Sequence, residues 1–98
     1  MIDIPILRWG EPYTSIDKDE VVHFETGEPL ARVSQGNTGL LSRDIRHAPR
    51  ARNALRQIPP AELVAIMKKA GELYAHGTLQ MGDGTQSPDE FARQQSAT

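Results

Sequence analysis

The chain is 98 residues long, with 38% hydrophobic and 24% charged residues, a net charge of -2 and no cysteine. A length of this order supports one domain that buries about 65% of the surface its unfolded chain exposes, and the balance of residue types is that of a soluble globular chain. Acidic residues outnumber basic ones and aromatics make up only 5%, which removes the electrostatic and stacking grounds for a nucleic-acid partner; without cysteine, these residues offer no disulfide, thiolate metal site or thiol nucleophile.

Charges at Asp3, Arg8, Glu11, Asp17, Lys18, Asp19 and Glu20 interrupt every apolar run near the start. No signal peptide or membrane span fits there, so a cytoplasmic chain with no membrane partner is expected. Ile2-Asp3-Ile4-Pro5-Ile6-Leu7 alternates only in part, and Pro5 has no N–H to give to a ladder. Residues 1–20 are therefore expected as an extended arm, an edge strand at most, with a polar connection from Gly10 to Asp19. Val21-Val22-His23-Phe24 and Leu30-Ala31-Arg32-Val33 have the branched and aromatic content of strands, and Thr26-Gly27-Glu28-Pro29 between them is turn chemistry. A β-hairpin over residues 21–34 follows.

Two helices are expected over residues 38–76. Asn37 or Ser42 can cap the first, whose stripe of Leu41, Ile45, Ala48 and Leu55 is interrupted by Pro49. A proline inside a helix removes a backbone bond at a cost of about 3 kcal/mol, so a kink or break is expected near His47. Pro59-Pro60 separates the helices, since the residue before proline resists the α region while proline suits a first turn. From there Leu63, Ile66, Met67, Ala70, Leu73 and Tyr74 keep one face, which predicts a core-packed helix stopping at Gly77. Residues 77–87 have the composition of a loop. Ser87-Pro88-Asp89-Glu90 is a capping-box start for a short helix over 88–98 that the chain cuts short.

Candidate chemistry is sparse along this path. His23, His47 and His76 lack the i, i+4 spacing that puts two imidazoles on one helical face. Asp17, Asp19 and Glu20 lack the register of a calcium loop. Gly82-Asp83-Gly84 has Ser87 where a dinucleotide loop needs its last glycine, and no strand is expected before it. Ser34, Ser42, Ser87 and Ser96 suit caps and turns, none lying in Gly-x-Ser-x-Gly. Arg43, Arg46, Arg50, Arg52 and Arg56 form the one charge cluster, an anion site or, on their angular spread, a solvated helical surface. No catalytic, cofactor-binding or metal-binding residue is assigned.

The order of these elements, with Thr26-Gly27-Glu28 between two strands, the Ala- and Arg-rich stretch from Ala48 to Leu55, the Pro59-Pro60-Ala61-Glu62 joint and the Leu73-Tyr74 pair, resembles the start of the aldehyde dehydrogenase superfamily. The segment Asp89 to Thr98 is similar to the helix that in the family runs toward a Thr-Gly-Lys-Pro-like corner. Pro49 and the stretch from Gly77 to Ser87 depart from the common pattern, as a divergent branch would. The resemblance implies an α/β parent of which this chain is an incomplete N-terminal piece: an extended arm, a β-hairpin and two to three α-helices. It further implies a parent that oxidises aldehydes with NAD(P), using a cysteine nucleophile, a glutamate base, an oxyanion-hole asparagine and a dinucleotide loop. All of these lie beyond the equivalent of Thr98, so the chain alone is expected to be inactive and to hold no cofactor. Its expected partner is the remainder of the parent enzyme or a homo-oligomer. The alternative is a stand-alone helical module for protein–protein interaction.

Overall fold

The computed structural model describes residues 1–98. The chain forms a small mixed α/β arrangement of four helices and three small sheets. Its central sheet has three strands in the order β1-β5-β4, formed by β1 (Ile2–Ile4), β4 (Lys18–Val22) and β5 (Pro29–Ser34). Strands β4 and β5 are the expected antiparallel hairpin, but β4 starts at Lys18 rather than Val21, and His23 and Phe24 lie in the turn. That turn is closed by His23 N–H donating to Glu28 O at 2.8 Å and Gly27 N–H donating to His23 O at 2.9 Å.

Of the extended arm expected over residues 1–20, the edge strand allowed before Pro5 is present as β1, and the rest is folded rather than extended. Ile2, Asp3 and Ile4 pair in parallel with Ala31, Arg32 and Val33. Beyond Pro5, β2 (Ile6–Arg8) and β3 (Glu11–Tyr13) make a second hairpin. Trp9 and Gly10 at its tip both have positive φ, 55° and 81°, the conformation that matches a two-residue turn to the twist of its strands. Tryptophan is a poor left-handed residue because its Cβ crowds the following carbonyl, and this concealed the turn in the sequence.

Helix α1 (Thr38–Ile45) is capped by Asn37, whose Oδ1 accepts from Leu40 N–H at 2.8 Å. The chain breaks at Arg46 and His47 and resumes as α2 (Ala48–Arg56). The break expected near His47 is present, and it makes three helices of residues 38–76 rather than two. Its position follows from Pro49, which falls in the first turn of α2, where an amide would have no intrahelical acceptor to lose. Helix α3 (Pro60–His76) begins at the second proline, with Pro59 as its N-cap. Residues 77–87 form a hairpin rather than a loop, with β6 (Leu79–Met81) paired to β7 (Gly84–Gln86) around Gly82-Asp83. Gly82 has φ +58°, a first turn position that glycine reaches without steric cost. Helix α4 (Pro88–Ser96) starts on the full capping box, with Ser87 Oγ accepting from Glu90 N–H and Glu90 accepting from Ser87 N–H.

These elements do not close around a core. Only Ala31 and Ser34 are buried, and the Cα radius of gyration is 16.4 Å, against about 13 Å for a compact domain of this length. The core-packed face expected on α3 is open to solvent: Ile66 is 50% exposed, Met67 71% and Tyr74 58%. Within this chain α4 packs near that face, where Phe91 meets the Tyr74 ring edge-on at 5.6 Å.

Candidate functional site

Two polar nodes hold the open architecture together. Asp3 accepts from Lys18 Nζ at 3.1 Å and from Arg32 at 2.8 Å, tying β1 to both other strands. Those two cations, Lys18 first, hold the Asp3 carboxyl below the usual aspartate range. The outer edge of β1 is clipped by the β6–β7 turn: Asp83 N–H donates to Asp3 O and Asp3 N–H donates to Asp83 Oδ1, each at 3.1 Å. Only glycine fits beside this clip, because a Cβ on residue 82 would stand 2.0 Å from Asp3 O.

At the second node, Arg8 Nε and Nη2 donate to the two carboxylate oxygens of Asp44 at 2.8 and 2.7 Å. This fork-to-fork pairing is the strong geometry for an arginine and a carboxylate. It lowers the Asp44 pKa and raises that of Arg8, and it fixes the β2–β3 hairpin against α1. Arg8 also lies over the Tyr13 ring at 5.2 Å.

The docked hairpin sets Trp9 beside the start of α2. Its ring meets His47 edge-on at 6.0 Å, and Trp9, His47, Arg50, Ala51 and Ala54 line a hollow of about 530 Å³. A shallower apolar groove continues from Trp9 and Ala51 toward Leu7, Leu41 and Ile45. The hollow offers an aromatic surface, an imidazole and a guanidinium over an alanine floor. Trp and Arg in a concave apolar setting are the residues that dominate protein recognition surfaces.

Of the residues singled out in the sequence, the three histidines are dispersed. His23 Nδ1 accepts from Glu25 N–H within its turn at 3.2 Å, His47 borders the hollow, and His76 ends α3. No three His, Asp or Glu side chains gather into a metal-binding group. Asp19 and Glu20 stand exposed on the edge strand β4, while Gly82-Asp83-Gly84 is the clip. Ser34 is buried and accepts from Ser15 N–H at 3.1 Å; Ser96 donates to Ala92 O within α4. All five arginines of the cluster are exposed, and none makes an ion pair.

Sequence reasoning passed over Trp9, Asp3 and the Arg8–Asp44 pair. The available signals were a lone tryptophan followed by glycine, and a single aspartate inside an arginine-rich run. Comparisons with protein-family models, curated proteins and solved structures give no match. No helix is long and apolar enough to cross a membrane.

Proposed function

We propose that residues 1–98 are the N-terminal scaffold segment of an aldehyde-dehydrogenase-like, NAD(P)-dependent oxidoreductase of the cytoplasm, with catalysis and cofactor binding carried by the remainder of the enzyme. The observation that carries this reading is the uncovered face of α3, exposed at Val64, Ile66, Met67, Leu73 and Tyr74. A contiguous apolar face of this length is costly to leave in water and marks a surface meant to be covered. The open β4 edge, which still has free backbone groups, is a second place for the remainder to pair. The segment then acts as a clip-stiffened support, and the chemistry of thiolate attack and hydride transfer belongs to groups outside it.

The test is to sequence the transcript beyond the Thr98 codon and to express the whole reading frame. An in-frame continuation that encodes a catalytic cysteine, and whose product oxidises aldehydes with NAD(P) while the 98-residue chain does not, is the expected result. A stop codon directly after Thr98, or a longer product that shows no aldehyde turnover, overturns the reading and leaves the interaction module.

A further inference from the structure

The charges of this chain are sorted by position, and the structure leaves them unpaired. From Asp17 to Glu28 there are five acids and one lysine, and from Arg43 to Arg56 five arginines and one aspartate, a balance of -4 against +4. The single opposing charge in each set is already occupied, Lys18 by Asp3 and Asp44 by Arg8. None of the five acids or five arginines has an ion-pair partner.

Each set also has its own exposed apolar anchor. The acidic segment carries Phe24, 67% exposed at the tip of the hydrogen-bonded β4–β5 turn, next to Glu25. The basic segment carries the hollow of about 530 Å³ between Trp9 and α2, with Arg50 on its wall. Trp9 is held there at φ 55°, a left-handed conformation that is strained for a bulky residue and of the kind that clusters at functional positions.

We propose that the Trp9–Arg50 hollow of one copy of this chain receives the Phe24–Glu25 turn of a second copy, Phe24 packing on the Trp9 indole and Glu25 pairing with Arg50. The occupant is a second copy because the missing charge and the missing aromatic are both present, together, on this chain's opposite-charged segment. The contact is heterologous, a hollow on one copy against a turn on the next, so association proceeds head to tail into rings or open chains. Arg93, on α4 beside the turn, makes no ion pair with Glu25 and leaves it available. The interface uses neither the exposed stripe of α3 nor the β1 clip, and it stands independently of the function proposed above.

The test is sedimentation velocity on the 98-residue chain over a range of concentrations, at about 50 mM and about 0.5 M salt, where screening of exposed charges is respectively weak and nearly complete. Wild type is expected to form soluble oligomers that dissociate at high salt. Arg50→Glu and Glu25→Arg should each weaken association about tenfold or more, and the double variant Arg50→Glu/Glu25→Arg should recover it, because the reversed pair is again complementary. Trp9→Asn supplies a variant that does not rely on charge: asparagine tolerates the left-handed turn, so the hairpin is kept while association falls. Far-UV circular dichroism checks that every variant keeps its helices. A monomer at all concentrations, salt-insensitive aggregation, or a double variant no better than the worse single variant overturns the proposal.

Discussion

Replacing Gly82 by alanine separates the cost of a turn conformation from the cost of a lost tertiary clip. Residue 82 sits at φ +58°, and an added Cβ would lie 2.0 Å from Asp3 O and 2.8 Å from Asp3 C. Alanine pays about 1–2 kcal/mol for the left-handed backbone. The overlap is with backbone, so β1 must move away from the β6–β7 turn. That movement breaks the two Asp3–Asp83 hydrogen bonds, each worth about 1 kcal/mol, for a combined loss of about 3–4 kcal/mol. Gly10→Ala is the matched control, since Gly10 has φ +81° with nothing within 4 Å of the added Cβ. Amide hydrogen exchange by NMR reads both. Gly82→Ala should speed exchange across the β1–β5 ladder by about 100- to 1,000-fold or to the unprotected limit, as about 1.4 kcal/mol per tenfold requires, while Gly10→Ala leaves that ladder protected. Equal effects of the two substitutions on β1 would show that the turn does not hold the strand.

Acidification gives a second check. Asp3 and Asp44 have folded-state pKa values below the usual 3.8, so their ion pairs stabilise above that value and are lost as pH falls through the depressed folded values. Trp9 fluorescence and β1 exchange should therefore hold steady from neutral pH and change below about pH 4, with Asp3→Asn flattening the β1 response; a transition well above pH 4 would show that neither carboxylate controls it. Ile66→Ala should shift unfolding of the 98-residue chain by less than about 0.5 kcal/mol, because the side chain is 50% exposed. In a longer protein of the kind proposed above, where the remainder would cover α3, the same substitution should cost about 2–5 kcal/mol, and equal small effects in both settings would count against that covering. Ser87→Ala should loosen the first turn of α4, seen by amide exchange, at a cost of about 1 kcal/mol. Isothermal titration of the chain with NAD(P) should give no heat of binding at micromolar concentration.

What the sequence made legible was local chemistry with a local consequence. Pro49 placed the helix break, Ser87 and Glu90 placed the start of α4, and Thr26-Gly27 placed the central turn. An edge strand before Pro5 was legible as a possibility, but the pairing of β1 was not, because its partner, β5, lies 29 residues away at matched positions, and parallel pairing leaves no turn between the two strands to announce it. The β6–β7 hairpin was hidden by brevity: Leu79-Gln80-Met81 and Gly84-Thr85-Gln86 are three-residue strands without a β-branched apolar residue. The apolar spacing of α3 located a face, yet spacing is silent about what lies opposite, and within this chain that face meets little beyond Phe91. The candidate hollow depends on a tryptophan in a backbone region that tryptophan seldom occupies, so no propensity rule pointed to it.

The clip also sets an order of events during synthesis. Asp3 and Asp83 are 80 residues apart in sequence, so the first strand emerges long before the groups that hold its outer edge. At translation rates of about 5–20 residues per second, that interval is roughly 4 to 16 s. Through it, the nascent strand presents Ile2 and Ile4 without the turn that will clip it at Asp3, and closing so long a segment is the slow kind of contact. The beginning of this chain is among the last parts of it to be secured, and the time it spends waiting is set by the ribosome.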